Sequence, residues 1–127
     1  MTIGGNEMLF LIDIDGVITS NPDFFKWFIY TLRKKENKHK VHIVTCRNPE
    51  RIFETELELI RWGITYDEIH FMKPELSRDL KTQAMWKMSV ALVVKPDVWI
   101  DDDFKIYKQV YDIDVWKAFP RITKIMI

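Results

Sequence analysis

Apolar and polar positions alternate in blocks along this chain, and the blocks predict a repeated strand–helix pattern. Met8–Asp13 is a short apolar run with the character of a buried strand. Asn21-Pro22-Asp23 reads as a helix start, with proline near the first helical position. Phe24, Phe25, Trp27, Phe28, Ile29 and Leu32 then supply an apolar helix face. Arg33, Lys34, Lys35, Lys38 and Lys40 read as a solvated helix end and turn rather than a binding patch. Val41–Thr45 is the second strand. Asn48-Pro49-Glu50 opens a helix that runs to about Trp62, with Gly63 as its stop. Ile69–Met72 is a third strand, Arg78–Val94 a helix and Asp97–Asp101 a fourth strand; the tail from Asp112 to Ile127 is predicted to add one or two short strands.

With 127 residues, no repeats, no low-complexity segment and no linker, the expectation is a single domain over 1–127, with 1–7 a flexible tail. Repeated β-α units predict an α/β fold: a Rossmann-like, three-layer α/β/α arrangement around a mostly parallel central sheet. In such sheets ligands bind at the carboxyl ends of the strands. Strand one ends in Asp13 and Asp15, strand two in Thr45, strand four in Asp101 and Asp102. The pattern thus delivers polar residues from three strands to one edge.

Charge and cysteine content narrow the picture. The 19 basic and 19 acidic residues cancel, so a chain-wide electrostatic grip on nucleic acid is not expected, and only a local patch can serve that purpose. Cys46 stands alone, so no internal disulfide can form, which fits a reducing compartment. No apolar run reaches membrane length, and the opening residues MTIGGNE lack the basic start and apolar stretch of a signal peptide. The expected location is cytoplasmic, with no membrane partner. The sequence carries no signal for oligomeric state.

Aspartates gathered at the mouth of a parallel sheet repel one another unless a cation sits between them. Mg²⁺ suits such a place, because it is hard and prefers carboxylate and carbonyl oxygens together with phosphate. Asp13, the backbone carbonyl of Asp15, and Asp101 or Asp102 can supply the protein ligands. Asp13 and Asp15 lie two residues apart at the end of the strand, where the chain turns at Gly16. One can point at metal and substrate while the other exchanges a proton with a leaving group. A carboxylate can also attack phosphorus, a reaction that needs positive charge and hydrogen-bond donors around the transferred oxygens. Thr45 and a lysine meet those needs.

These residues resemble the motifs of haloacid dehalogenase superfamily phosphohydrolases. "LIDIDGVIT" is similar to the first motif, a hydrophobic strand followed by Asp-x-Asp-Gly; "VHIVTCRNP" to the second, a strand ending in Thr; "VWIDDD" to the fourth, a strand ending in an acidic pair. The third motif is a lysine at or near the start of the preceding helix. The resemblance covers nearly the whole chain and implies a Mg²⁺-dependent phosphoric monoester hydrolase working through an aspartyl-phosphate. It implies Asp13 as nucleophile and metal ligand, and Asp15 as general acid and then base, help typically worth about 10²–10⁴-fold. It further implies Thr45, Cys46 and Arg47 along the substrate-binding stretch, and Asp101 and Asp102 as holders of Mg²⁺. For the lysine, Lys73 lies far upstream. Lys81, nearer the expected helix start, is preferred over Lys87.

Asp15 to Thr45 and Thr45 to Lys81 leave room for one helix and little else, so no cap domain is expected and the site should be open. Such a site favours a large substrate or a cover supplied by a partner. Arg47, two residues after Thr45, resembles the Thr/Ser-x-Arg of the 3′-phosphatase domain of phage polynucleotide kinase. That likeness implies a nucleic-acid 3′-phosphate end, or a nucleotide, as substrate. The alternatives are a catalytically idle binding module, or a phosphatase acting on a phosphoprotein or a small phosphometabolite. A phosphoacceptor receiver domain is excluded by order, since strand three ends in Phe71-Met72-Lys73 without an aspartate. A cysteine phosphatase is excluded by spacing: the arginines after Cys46 are Arg47 and Arg51, and the loop lacks glycine. Cys46 reads as a small buried side chain and Asp103 as a helix cap. His39, His42 and His70 show no metal-ligand spacing. Trp27, Trp62, Trp86, Trp99 and Trp116 read as core or half-buried.

Overall fold

Five strands form one sheet in the order β3-β2-β1-β4-β5, every neighbouring pair parallel. In this computed structural model the described residues are 7–127, so all but Glu7 of the expected tail lies outside them. The strands are β1 (Leu9–Asp13), β2 (Lys40–Thr45), β3 (Glu68–Phe71), β4 (Val98–Asp101) and β5 (Thr123–Met126). The helices are α1 (Pro22–Arg33), α2 (Ile52–Arg61), α3 (Leu80–Val94), α4 (Phe104–Tyr111) and α5 (Val115–Ala118). The α/β prediction holds in its parallel sheet and in the first four strands. The tail adds one short strand, β5, as expected, but also the unexpected helix α5, and α4 precedes it. Tyr107 and Val115 are fully buried there, so packing against the sheet fixes this region as helix. No helix among the described residues is long and apolar enough to cross a membrane.

The strand period of two explains both layers. Phe10, Ile12, Val41, Ile43, Val98 and Ile100 share a core with Phe25, Ile29 and Leu32 of α1 and Leu59 of α2. Leu11, Val44 and Trp99 join a second core with Ala84 and Ala91 of α3, Phe104 and Tyr107 of α4, and Val115 of α5. Strands covered on both faces must be apolar throughout, as β1 and β4 are. The α1 face turns away from the expected one at two points. Phe24 and Trp27 are exposed, as is Trp116 of α5, and only Trp99 of the five tryptophans is fully buried.

Helix starts follow local chemistry. Asn21 accepts a hydrogen bond from the Phe24 amide at 3.2 Å, with Pro22 opening α1. Asn48 accepts from the Glu50 amide at 2.9 Å and starts a 3-10 turn that leads into α2. Asp79 accepts from the Thr82 amide at 2.9 Å, so α3 begins at Leu80.

The chain builds β1, β2 and β3 outward in one direction, then crosses to place β4 on the other side of β1. The order therefore reverses between β1 and β4, which is where a crevice opens at the carboxyl ends. Ile12 pairs with Ile100, and the next step in register sets Asp13 beside Asp101.

Candidate active site

Asp13 and Asp101 end their strands on the face covered by α3, in phase with Leu11 and Trp99. Both are almost fully buried, with exposures of 4% and 0%. Lys87 reaches them from α3: its Nζ lies 3.0 Å from Asp13 Oδ2 and 2.9 Å from Asp101 Oδ2. The lysine is itself only 2% exposed. It is flanked along α3 by buried Ala84 and Ala91, three residues before and four after, whose small side chains let the helix lie close to the sheet. Backbone amides fix the remaining oxygens. Ile14 donates to Asp13 Oδ1 at 2.9 Å, and Asp103 donates to Asp101 Oδ1 at 2.9 Å.

Lys81 does not enter this site. It lies exposed in the first turn of α3, six residues before Lys87 and about a third of a turn around the helix from it. The preference for Lys81 is thus reversed in geometry, because the contacts to the aspartates come from Lys87. Lys73 is exposed beyond the end of β3.

Asp102 completes the acidic group. Carboxylate oxygens of Asp13, Asp101 and Asp102 all lie within 4.8 Å of one another. Asp102 Oδ1 is buried and has no hydrogen-bond partner. Three carboxylates against one lysine leave an excess of negative charge. Burial and the neighbouring Asp101 push Asp13 well above the usual carboxylate range. Burial, then Asp103 and Asp101, push Asp102 up to about 6. Burial pulls Lys87 down, but Asp13 and Asp101 outweigh it and hold the ammonium charged. A hard divalent cation fits this donor set: it would give the orphaned oxygen a partner and offset the excess charge. Asp13, Asp101 and Asp102 can hold a metal ion; the Asp15 carboxylate is not in this group.

Asp15 turns toward Arg47 instead. Arg47 donates through Nε to Asp15 Oδ2 at 3.0 Å and through Nη2 to Oδ1 at 2.9 Å, a bidentate pair. Its other edge meets Glu58 of α2, with Nη1 donating to Oε2 at 3.1 Å. Thr45 is fully buried, and its hydroxyl accepts the Arg47 amide at 3.1 Å. Asp13, Asp15, Cys46, Arg47, Gln83, Lys87 and Asp103 line an open cleft of about 260 Å³. Burial pushes the Cys46 thiol up to about 12, so it is no thiolate nucleophile near neutral pH. Asp103 stands before α4 but its side chain makes no cap hydrogen bond; its amide serves Asp101 instead.

The fold has solved counterparts. In a structure of the Pnkp1/Rnl/Hen1 RNA repair complex, one chain matches all of this chain over 44% of its own length, at 13% identity and a TM-score of 0.69. A second structure of the Pnkp1/Rnl/Hen1 complex matches 97% of this chain over 47% of its own, also at 13% identity, with a TM-score of 0.68. The chain spans less than half the length of these neighbours, and at this identity the likeness is one of fold. No family model matches the sequence, and no curated protein matches it.

Two residues of the site escaped the sequence reading. Glu58 holds the outer edge of Arg47; its signal was a polar pair, Thr55 and Glu58, on the helix stripe that carries buried Leu59. Gln83 lines the cleft while donating to the Arg78 carbonyl at 2.7 Å, and nothing in its sequence context marks it.

Gly16 has two reasons to be glycine. Its φ of +83° is one that other residues rarely adopt, and a Cβ there would fall on the Asp102 carboxylate. Gly16→Ala is expected to cost at least about 1–2 kcal/mol and to displace Asp102. Urea unfolding and a Mg²⁺ titration read both effects. Unchanged stability and unchanged metal affinity would mean that the turn and Asp102 shift aside freely.

Proposed function

We propose that this chain is a Mg²⁺-dependent phosphatase of the haloacid dehalogenase type, acting on a phosphorylated nucleic-acid end or a nucleotide. The observation that carries the reading is the cluster at the β1/β4 reversal, where Lys87 bridges Asp13 and Asp101 and Asp102 closes the group. Aspartates from two strand ends, a buried lysine and a strand-end threonine form the constellation that phosphoryl transfer to a carboxylate needs.

In this reading an Asp13 oxygen attacks phosphorus. The bond to the leaving oxygen breaks, and Asp15 gives that oxygen its proton. Asp15 then takes a proton from water as the water attacks the aspartyl-phosphate, which frees Asp13 and releases inorganic phosphate. Asp15 must let go of Arg47 to do this, and the freed guanidinium is then available to the phosphoryl oxygens. Thr45 offers its hydroxyl to the same group. Lys87 keeps the Asp13 carboxylate in place and balances part of its charge. Bound Mg²⁺ supplies the remaining positive charge at the transferred group.

The substrate class rests on two supports. The cleft is open, with no cap over it among the described residues, which favours a reacting phosphate carried on a larger molecule. The fold neighbours belong to an RNA repair complex. The test is phosphate release, with and without Mg²⁺, from p-nitrophenyl phosphate, a panel of nucleoside monophosphates and a 3′-phosphorylated oligonucleotide. Mg²⁺-dependent release, greatest from the oligonucleotide or a nucleotide, is expected. Folded protein that binds Mg²⁺ and releases nothing would turn the reading to a binding module.

A further inference from the structure

We propose that His42, Glu68 and His70 form a binding site for a zinc-class divalent transition metal, separate from the aspartate cluster. The sequence hides this site, since 25 residues lie between His42 and Glu68. The parallel register of β2 and β3 removes that separation. His42 pairs with Glu68 and Val44 with His70, so all three side chains share one face of the sheet.

The atoms meet at metal-binding distances. His42 Nδ1 lies 3.0 Å from His70 Nε2. Glu68 Oε2 lies 3.7 Å from the first nitrogen and 3.9 Å from the second. The point equidistant from these three atoms, in their plane, is about 2.1 Å from each, which is the bond length zinc makes to imidazole nitrogen and carboxylate oxygen. Two imidazoles and one carboxylate form a donor set that suits zinc and its neighbours and is a poor one for Mg²⁺.

Without a metal the two facing nitrogens must share one proton, one donating and the other accepting. A metal ion engages both lone pairs and the carboxylate together. The histidine side chains are 16% and 26% exposed and that of Glu68 is 64% exposed, so water can complete the coordination. A shallow hollow beside α3, lined by His70, Ser89, Val90, Val93 and Val94, leaves space next to the group. His42 precedes Thr45 by three residues, about 10 Å along the strand, which keeps the group apart from the cleft. Because β3 is an edge strand, ligation here would bond the sheet edge to its neighbour.

This proposal stands apart from the phosphatase reading, and its test needs no turnover. ZnCl₂ is titrated calorimetrically into the full chain, with Co²⁺ as a visible-absorption probe. The wild type is expected to show a saturable site that gives nitrogen-ligated Co²⁺ bands. His42→Gln and His70→Gln are each expected to weaken this site by more than about 100-fold. Glu68→Gln, on an exposed side chain and therefore safe for folding, is expected to weaken it by at least about tenfold. Asp102→Asn, in the aspartate cluster, is expected to leave the nitrogen-ligated Co²⁺ bands unchanged. Absence of saturable Zn²⁺ binding below about 1 mM would overturn the proposal. So would nitrogen-ligated Co²⁺ bands that survive both histidine changes in folded protein, or bands that disappear with Asp102→Asn.

Discussion

If the proposed phosphatase mechanism holds, Asp13→Asn is expected to abolish Mg²⁺-dependent phosphate release, with a loss on the order of 10⁴-fold or more, as when a nucleophile is removed. An amide cannot attack phosphorus as a carboxylate does, and it presents at best a weak ligand to a divalent cation. The fold should survive. Asp13 is one of two carboxylates held against a single buried ammonium, and Lys87 keeps Asp101 when Asp13 is neutralised. The replacement also relieves the repulsion between Asp13 and Asp101 that helps push the Asp13 carboxyl up. Circular dichroism and urea unfolding establish that the variant is folded, and p-nitrophenyl phosphate hydrolysis reads the chemistry. Near-normal turnover in a folded Asp13→Asn variant would remove Asp13 as the nucleophile.

Lys87→Met carries the second large effect, and it falls on stability as well as activity. Methionine nearly fills the lysine's volume but leaves Asp13 and Asp101 as two buried carboxylates with no cation between them. Breaking a buried ion pair from one side typically costs about 3–5 kcal/mol, because the remaining charge is neither solvated nor paired. Lys81→Ala, at an exposed first-turn position, should change stability by less than about 0.5 kcal/mol and leave turnover unchanged. Added Mg²⁺ should recover part of the stability of Lys87→Met, since a metal ion on the carboxylates offsets the same charge, but not its turnover. Urea unfolding with and without Mg²⁺, together with hydrolysis rates for both variants, decides the matter. The opposite ranking, with Lys81→Ala the more damaging change, would overturn the assignment made from geometry.

The two lysines also show where sequence reading reaches its limit. Amphipathic period tells which residue of a helix faces a core only when the rest of the helix is polar. α3 is apolar nearly all round, with exposed Met85, Leu92 and Val93 opposite buried Ala84, Val90 and Ala91. No stripe therefore marks the inward lysine. The sequence pattern places the helix start at Arg78, two residues before α3 begins at Leu80, and distance from that start favours Lys81. What does mark Lys87 is its phase with the two small buried alanines, a signal that gains meaning only when the sheet beneath them is known.

Strand ends behaved differently. β1 and β4 were legible because a strand covered on both faces must be continuously apolar, and β2 because Val41, Ile43 and Val44 keep most of that character; an aspartate or threonine at the end breaks each run sharply. Their convergence at one edge follows from parallel β-α connectivity alone. α4 and α5 were not legible, since the segment after Asp103 is short, mixed in character and held as helix by Tyr107 and Val115 packing on the sheet.

The sequence by itself thus determined the parallel α/β class, the strand ends that carry Asp13, Thr45 and Asp101, and the glycine turn after Asp15. Each of these rests on local pattern and on the period of two. Tertiary structure alone decided that Lys87 meets Asp13 and Asp101, that Arg47 is shared between Asp15 and Glu58, and that His42, Glu68 and His70 come together. Those meetings depend on strand register, on the rotation of α3 about its axis and on side-chain reach, and these are set by packing between residues far apart in the chain.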